Sequence, residues 1–325
     1  MRKLLLFLLG LVLGALLLVG GLRIAAALRE AQPLAAVLPA EGQLIETEAG
    51  SLFVQDLGPR DGPVLLFLHG TAAWSGLWRP TLEAMAGQGY RAIALDMPPF
   101  GFSQRDPAGR YDRAHQAQVV HALIRALQIR PVLVAHSFGA GPGVEAVMQT
   151  PGAFAGLVVV DGALAIGAQP SQLPLPLRSD WMRQAGIAVT ATNPMMTRRL
   201  LASFLHVKSA ATDEVVDILQ RPMTRQGSTA AFADWLPSLL TVPSDALSIR
   251  PDSYRDLCLP TVFLWGQEDT VTPLEQGRQA AGLVPGAALL VMPNTGHIPQ
   301  IETPAPFLDA LQQGLRRIKA ADPPC

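Results

Sequence analysis

The hydrophobic positions of this chain form short apolar or alternating runs, separated by longer segments of helical length. The short runs predict eight strands, at Leu44–Glu48, Leu52–Asp56, Val64–Leu68, Arg91–Leu95, Val132–Ala135, Leu157–Val160, Thr261–Trp265 and Ala288–Met292. Several runs are continuous and aliphatic, which is typical of strands buried on both faces. The main segments between them predict helices at about residues 76–88, 112–128, 138–149, 273–283 and 304–319. This alternation predicts an α/β fold with a mostly parallel sheet covered on both sides.

The alternation changes at two places. The first two strands are joined at Ala49–Gly50, so we expect an antiparallel hairpin at the start of the sheet. Residues 163–255 contain no predicted strand and instead carry the proline-rich "AQPSQLPLPL" followed by helical pieces. We therefore expect a helical insertion after the sixth strand, with a core formed by residues 43–162 and 256–320.

The N-terminal segment has a different pattern, because residues 4–22 contain no charge. Nineteen residues in a helix span about 28 Å, close to the thickness of a bilayer's hydrocarbon core. We predict a membrane anchor or signal at residues 1–28 and a linker at residues 29–42, with the domain that follows periplasmic or extracellular. The stretch "RIAAALREA" resembles a cleavage site, so a secreted protein with a cleaved signal is the alternative.

Composition narrows the function classes. The formal net charge is −1, and no basic run is interleaved with aromatics, so nothing indicates a nucleic-acid partner. The two cysteines, Cys258 and Cys325, provide neither metal-ligand spacing nor a disulfide framework. We expect two unpaired thiols, with a disulfide between them as the alternative in an oxidising compartment.

The stretch "VAHSFGAG" at residues 134–141 places one serine on a tight bend between a strand and a helical segment. Such a turn brings backbone close to backbone, so the residues two before and two after the serine must be small. Ala135 and Gly139 meet this requirement. The hydroxyl of Ser137 would lie at a helix N-terminus, whose free N–H groups favour negative charge. The pattern indicates a nucleophile, with an N-cap serine as the structural alternative.

Six histidines are candidates for the base that would activate Ser137. Adjacent residues on a sharp turn point in different directions, so His136 is not expected to reach the serine oxygen. His297 lies in the loop after the last strand, and loops at the carboxyl ends of parallel strands meet at one edge of the sheet. We therefore predict that His297 is the base. The other histidines are expected to be surface or structural residues: His69, His115, His121 and His206.

A third group must orient that imidazole and stabilise its charged form. Asp269 lies in the loop after the seventh strand, in "GQEDTVTP", and Asp161 ends the sixth strand as its rival. Asp96 lies in the turn-rich "ALDMPPFGFSQ", which suits a structural role in a loop, and Glu268 is interpreted as a solvated residue. We predict Asp269 as the orienting acid.

These segments together resemble the α/β-hydrolase family over residues 43–320. The resembling pieces are His69-Gly70 after the third strand, "DMPPFGFS" after the fourth, "AHSFGA" at the bend, "WGQEDTVTP" after the seventh and "TGH" after the eighth. The chain order Ser, Asp, His also fits the family. The resemblance implies that Ser137 is the nucleophile, His297 the base and Asp269 the acid. It also implies an oxyanion hole formed by the backbone N–H groups of Thr71 and Phe138.

The resemblance implies further features. His69 would be structural, residues 163–255 would form the family's helical cap, and neither a metal nor an organic cofactor is implied. Ala135 departs from the pattern, because the family usually has glycine there. A serine nucleophile also argues against the haloalkane dehalogenase and epoxide hydrolase branches, which use aspartate.

We expect a serine hydrolase that acts on an ester-like acyl substrate through an acyl-enzyme. C–C bond hydrolysis, acyl transfer and cofactor-free perhydrolysis are alternatives on the same triad, and a non-catalytic binding protein on this fold is a third class. Apolar residues of the insertion predict a pocket for apolar groups: Trp181, Met182, Met195, Met196, Phe204, Met223, Phe232 and Trp235. The cations of the insertion are interpreted as a solvated face, with binding of a substrate carboxylate as the alternative: Arg178, Arg198, Arg199 and Lys208.

Overall fold

The structure is a computed structural model and describes residues 2–321 of the chain. In this part of the chain one eight-stranded sheet forms the centre of the molecule. Its strands are β1 (Gln43–Thr47), β2 (Gly50–Leu57), β3 (Val64–Leu68), β4 (Arg91–Leu95), β5 (Val132–His136), β6 (Gly156–Val160), β7 (Thr261–Gly266) and β8 (Ala288–Met292). The predicted strands all overlap these, and the α/β architecture is confirmed.

The strands follow the order β1-β2-β4-β3-β5-β6-β7-β8 across the sheet. The hairpin of β1 and β2 is antiparallel, as predicted, and pairs Thr47 with Gly50 next to the turn. Strand β2 also runs antiparallel to β4, whereas the pairings from β4 to β8 are parallel. The carboxyl ends of β3 to β8 therefore lie at one edge of the sheet.

Helices cover both faces of the sheet and form the insertion. They are α1 (Arg2–Arg29), α2 (Leu34–Val37), α3 (Arg79–Ala86), α4 (Arg113–Leu127), α5 (Ala140–Gln149), α6 (Asp180–Val189), α7 (Pro194–Phe204), α8 (Asp213–Gln220), α9 (Ser228–Leu240), α10 (Pro251–Arg255), α11 (Leu274–Leu283), α12 (Pro299–Glu302) and α13 (Pro304–Ala320). Helices α6 to α9 lie within residues 163–255, the segment without strands.

The two faces of the sheet have separate hydrophobic cores, because successive strand residues point to opposite sides. In β3, Leu66 and Leu68 pack with α4, α5 and α11, whereas Leu65 and Phe67 pack with α3 and α13. These four side chains are fully buried. Burial on both faces explains why the strand sequences are continuous rather than alternating.

Helix α1 combines an exposed apolar part with an end that is docked on the rest of the protein. Among residues 2–321 it is the one helix long and apolar enough to cross a membrane. Near its end, Ala26 is fully buried. Arg23 Nη2 donates to Gln184 Oε1 over 3.1 Å, and Arg29 Nη2 donates to the carbonyl oxygen of Thr192 over 2.8 Å. The last two turns of α1 thus pack against α6 and the residues that follow it.

Residues 29–42 were expected to form a linker, and their first part is packed on the insertion. Glu30 is 5% exposed, and its carboxylate accepts a hydrogen bond from the backbone N–H of Thr229 over 3.0 Å. Gln32 forms backbone hydrogen bonds with Thr224 and Gln226. These contacts join residues about two hundred positions apart, so the local pattern of polar and proline residues did not indicate them.

The expectation of unpaired thiols is wrong for Cys258, since the described residues contain no free cysteine. Cys325 lies outside the described residues. Cysteine count and spacing do not fix pairing in a chain of this length.

Candidate active site

Ser137 lies on the bend between β5 and α5, in a backbone conformation that side chains rarely adopt. Its φ is 51°, in the left-handed region. The bend packs tightly against the backbone that follows β3. A Cβ added at Gly139 would lie only 2.5 Å from the carbonyl oxygen of His69. Glycine at this position therefore allows the strained serine conformation, as the sequence pattern predicted.

Ala135 fits where the family usually has glycine, because its neighbour on α5 is itself glycine. A Cβ added at Gly143 would lie 3.1 Å from the methyl group of Ala135. That distance is shorter than an ordinary van der Waals contact, so glycine at position 143 gives the methyl group of Ala135 room without a shift of the backbone. The departure from the family pattern is thus compensated one turn into the helix.

The structure brings together Ser137, His297 and Asp269 from three different loops. His297 Nε2 lies 2.8 Å from Ser137 Oγ, and His297 Nδ1 lies 2.8 Å from Asp269 Oδ2. All three residues are buried. The arrangement allows the imidazole to accept the serine proton while the carboxylate holds the other ring nitrogen, which is the geometry of a nucleophile, a base and an orienting acid.

The surroundings of Asp269 favour its ionised form. Burial acts to raise the pKa of this carboxyl, but hydrogen bonds from His297, Thr272 and Val271, together with the charge on His297, outweigh it and lower the pKa. Thr272 donates from both its hydroxyl and its backbone N–H, over 2.7 and 3.0 Å. A carboxylate with this many donors is suited to stabilise a protonated imidazole.

Asp161, the rival acid, forms its side-chain hydrogen bond with Gly266 and not with His297. Its Oδ1 accepts a hydrogen bond from the backbone N–H of Gly266 over 2.8 Å, and its Oδ2 is buried without a partner among the described residues. Burial raises the pKa of Asp161 well above its usual range, and the nearby charge of Asp269 adds to the increase. The geometry therefore favours Asp269 over Asp161 as the partner of His297.

Asp96 has the structural role expected of it. It is fully buried and accepts hydrogen bonds from the backbone N–H groups of Ser75 and Phe102, each over 2.7 Å. Burial raises its pKa to about 6 despite these donors. The side chain of Asp96 organises the loop after β4, and Glu268 is partly exposed beside Asp269.

His136, next to the serine, supports the base instead of acting as one. Its Nε2 lies 2.8 Å from the carbonyl oxygen of His297 and donates to it, while Gln300 lies 3.4 Å from Nδ1. Burial, reinforced by the charge of His297, lowers the pKa of His136 to about 3, so the ring stays neutral. The sequence excluded His136 as the base but did not indicate this contact.

The remaining histidines lie outside the triad. His69 is fully buried, with Nδ1 donating to the carbonyl oxygen of Gly70 and Nε2 accepting from the N–H of Met97, and burial lowers its pKa to about 4. His115 pairs with Asp106 over 3.0 Å. Burial lowers the pKa of His121, and His206 is exposed on the insertion.

The two residues predicted to form an oxyanion hole lie beside Ser137. Thr71 and Phe138 line the same cavity as Ser137. Phe138 is in the first turn of a helical segment, where N–H groups have no partner within the helix. Gly70 lets the Thr71 loop approach closely, since a Cβ there would lie 3.0 Å from Ser137 Cβ. These positions suit donors for a developing negative charge.

Glu302 is a buried residue of the site that the sequence analysis did not single out. Its carboxylate accepts hydrogen bonds from the backbone N–H groups on either side of His297, at Gly296 (3.1 Å) and Ile298 (3.0 Å). It also accepts from the N–H groups of His206 and Val207 at the end of α7, over 2.7 and 3.0 Å. Glu302 thus fastens the His297 loop to the insertion. The sequence feature that could have identified Glu302 is its position five residues after His297.

The cavity above Ser137 is almost entirely apolar. Its volume is about 430 Å³, within the usual range for small-molecule sites. The insertion supplies much of its lining: Ile187, Thr190, Ala191, Thr197, Leu200, Leu201, Phe204, Leu219, Met223, Trp235, Leu236 and Leu239. Among the described lining residues none is Asp, Glu, Lys or Arg, so the cavity favours uncharged groups.

The apolar residues predicted for the pocket divide into lining and non-lining sets. Phe204, Met223 and Trp235 line the cavity, whereas Trp181 and Met195 are exposed on the surface. The four cations of the insertion do not line it. Arg178 and Lys208 bond to nearby carbonyl groups, and Arg198 pairs with Asp213.

A second cavity of about 510 Å³, between the β1–β2 turn and α4, contains none of the triad residues.

The fold and the site together define an α/β hydrolase. A family model described as "alpha/beta hydrolase fold" matches residues 63–304. Since that match covers well over half of the chain, the protein belongs to the α/β-hydrolase family.

Individual relatives agree with this assignment. The chain is 29% identical to 2-hydroxy-6-oxo-2,4-heptadienoate hydrolase of Pseudomonas putida over 251 residues, covering 76% of this chain and 86% of that protein. Among solved structures, a bacterial membrane phospholipase A aligns with a TM-score of 0.70 and 23% identity, covering 99% of this chain and 100% of the other. A thermophilic esterase of Thermogutta terrifontis aligns with a TM-score of 0.68 and 21% identity, covering 86% and 99%.

Proposed function

We propose that this protein is a membrane-anchored serine hydrolase that cleaves esters of apolar acyl groups through an acyl-enzyme. The observation that carries the proposal is the chain of contacts from Ser137 through His297 to Asp269 beneath an uncharged cavity. A nucleophile, a base and an oriented acid within hydrogen-bond distance are the requirement for acyl transfer to serine.

The reaction follows from these positions. His297 Nε2 takes the proton of Ser137 Oγ as the oxygen attacks the ester carbonyl, and Asp269 stabilises the imidazolium. The N–H groups of Thr71 and Phe138 bind the oxyanion. His297 then returns the proton to the leaving alcohol, which leaves an acyl group on Ser137. Water activated by His297 attacks that acyl group and restores the serine.

C–C bond hydrolysis is the second candidate, because relatives at 28–29% identity include a 2-hydroxymuconate semialdehyde hydrolase and a 2-hydroxy-6-oxo-2,4-heptadienoate hydrolase. The heptadienoate and the muconate semialdehyde in these names carry a carboxylate. Burying that charge requires a cation or several donors, and the described cavity lining contains no Arg or Lys. The cavity therefore favours a neutral acyl ester over a dienoate.

We propose that α1 is a retained membrane anchor and not a cleaved signal sequence. A signal sequence passes the same test of length and apolarity, but the end of α1 is part of the folded protein. Ala26, Arg29 and Glu30 are packed or bonded to the insertion. A mature protein that began at residue 27 would lose Ala26, and one that began at residue 32 would also lose Arg29 and Glu30. The membrane phospholipase similarity over nearly the whole chain also supports an anchored enzyme.

A fluorophosphonate probe tests the nucleophile directly. The full chain should be labelled, and Ser137→Ala should lose labelling and at least about 10⁴-fold in kcat while its thermal unfolding is unchanged. A binding protein on this fold would not be labelled. Turnover by Ser137→Ala at the wild-type rate would contradict the proposal.

Matched substrates separate the two candidate reactions. Neutral medium-chain esters should have a higher kcat/KM than the same esters bearing a carboxylate, and higher than a 2-hydroxy-6-oxo-dienoate. A preference for the dienoate would favour C–C hydrolysis. A preference for the charged esters would contradict the apolar substrate and require a cation of the insertion to reach the cavity.

A further inference from the structure

The contacts of α1 fix which end of the insertion lies nearest the membrane. Arg23, early in the docked part of α1, bonds to Gln184 in the first half of α6, and Arg29, six residues later, bonds to Thr192 just beyond the end of α6. The two helices therefore run side by side in the same direction. Since the apolar part of α1 precedes Arg23, the N-terminal end of α6 faces the membrane side.

Helix α9 runs the opposite way beside α6. Thr229, at its start, bonds to Glu30 beyond the end of α1, whereas the carbonyl oxygen of Ala233 accepts from Arg183 Nε over 3.0 Å. Its last residues, Leu239 and Leu240, therefore lie at the same end of the insertion as the start of α6. The segment before α6 also reaches this end, because Ser171 Oγ accepts from the N–H of Val242 just after α9.

Large apolar side chains are exposed at this end, and we call them the cap edge: Leu175 (76% exposed), Trp181 (52%), Met182 (39%), Leu239 (43%) and Leu240 (41%). An exposed apolar cluster on a soluble surface is costly unless something covers it. Trp181 lies one helical turn from Gln184, toward the bilayer. Trp181 therefore lies level with the end of the uncharged stretch of α1, which is where the helix would leave the bilayer. Tryptophan favours this membrane–water interface.

The cap edge also borders the opening of the cavity. Leu239 is both exposed and part of the cavity lining, and Leu236 and Trp235 on the same helix line it further in. A substrate that enters past Leu239 crosses the cap edge first.

We propose that the cap edge is seated on the bilayer surface, so that the cavity receives acyl esters directly from the lipid phase. The proposal rests on the anchored ester hydrolase proposed above and names the source of its substrate. Continuity with α1 identifies the bilayer as the partner, because a docked anchor holds this end of the insertion at the membrane.

Trp181 is a native reporter of this contact. The other four tryptophans, at positions 74, 78, 235 and 265, are each at most 3% exposed. The full chain reconstituted in vesicles whose lipids are brominated near the headgroup should show quenched fluorescence relative to unbrominated vesicles. The quenched component should be absent in Trp181→Phe. Equal quenching of the two proteins would overturn the proposal.

Activity provides a second measurement with a matched control. Trp181→Glu should slow hydrolysis of a long-chain ester embedded in vesicles by about tenfold, with kcat/KM for a soluble short-chain ester unchanged. Met195→Glu is the control, because Met195 is 82% exposed but begins α7 beyond the far end of α6. It should leave both rates unchanged. Equal losses in the two variants on vesicles would contradict bilayer seating.

The two proposals fail separately. A wild-type chain that does not hydrolyse the soluble ester contradicts the ester hydrolase, and the quenching measurement still decides whether Trp181 contacts lipid.

Discussion

At the residue scale, the surroundings of two buried aspartates, Asp269 and Asp161, shift their pKa values in opposite directions. Asp269 receives hydrogen bonds from His297 and Thr272, which lower its pKa against the effect of burial. Asp161 is buried with one unpartnered oxygen, and its pKa is raised well above the usual range. The surroundings thus favour the ionised form of Asp269, which can support an imidazolium, and the neutral form of Asp161, which cannot.

This difference predicts the effect of removing each charge. Asp269→Asn should lower kcat by about 10³- to 10⁴-fold, because an amide cannot stabilise the imidazolium or hold its tautomer. Asp161→Asn should change kcat little, since it replaces one neutral group by another. Steady-state kinetics on a soluble ester would measure both, with circular dichroism as a check of folding. A larger loss for Asp161→Asn would reverse the assignment.

The raised pKa of Asp161 also predicts a pH dependence of stability. The folded protein holds this proton more tightly than the unfolded chain does, so the contribution is complete at acidic pH. It is lost as pH rises from the ordinary aspartate pKa through the raised one. Urea unfolding across this range should show declining stability in the wild type. In Asp161→Asn that part of the decline should be absent, and an identical pH profile would contradict a protonated Asp161.

Local sequence was sufficient to predict the three residues that the structure brings together, because each lies in the loop or turn after a strand. Ser137, Asp269 and His297 come after β5, β7 and β8, and parallel topology brings those ends to one edge. The support that His136 gives to the backbone of His297 was not predictable in this way. It depends on a side-chain direction set by the strained turn at Ser137.

At the element scale, the strands were the most predictable part of the fold. Strands β3, β4 and β8 have the predicted bounds, because continuous aliphatic runs end at glycine, proline or polar residues. The position of β4 between β2 and β3 was not predictable, since strand spacing along the chain does not fix spatial order. The hydrogen bonds by which Glu302 joins the His297 loop to the end of α7 were not predicted, for the same reason.

Because Glu302 joins these two elements, its substitution tests how much their connection contributes. Glu302→Gln replaces one acceptor oxygen by an amide donor facing backbone N–H groups, and should cost about 3 kcal/mol of the free energy of unfolding. It should also lower kcat more than it raises KM, because the loop that carries His297 loosens. Urea unfolding and steady-state kinetics measure the two effects. Glu275→Gln, at an exposed ion pair with Arg278, is the control and should change neither.

At the scale of the whole molecule, the N-terminal helix combines an exposed apolar part, which we propose as a membrane anchor, with an end that is docked on the insertion. Its uncharged part is exposed, and its end is bonded to residues of α6 and α9 that neighbour the cavity lining. The hydropathy pattern predicted the first property. The second depends on Arg23, Arg29 and Glu30, whose partners are more than 150 residues away and leave no periodic signal.

Two truncations separate the roles of this helix. A chain beginning at residue 22 should leave carbonate-washed membranes but keep the docked end, so its melting temperature and its kcat/KM for a soluble ester should match those of the full chain in detergent. A chain beginning at residue 33 also loses Ala26, Arg29 and Glu30. The N–H of Thr229 then loses its buried acceptor, which should cost about 2 kcal/mol and lower the melting temperature by about 5 °C.

The insertion of the shorter chain should also be cut faster by protease than its sheet core, because α6 and α9 lose the helix that braces them. Equal melting temperatures for the two truncations would show that docking of α1 contributes nothing to the insertion. Edman sequencing of the membrane-bound protein provides the independent check, with an intact start expected. A mature protein beginning between residues 27 and 32 would identify a cleaved signal in place of an anchor.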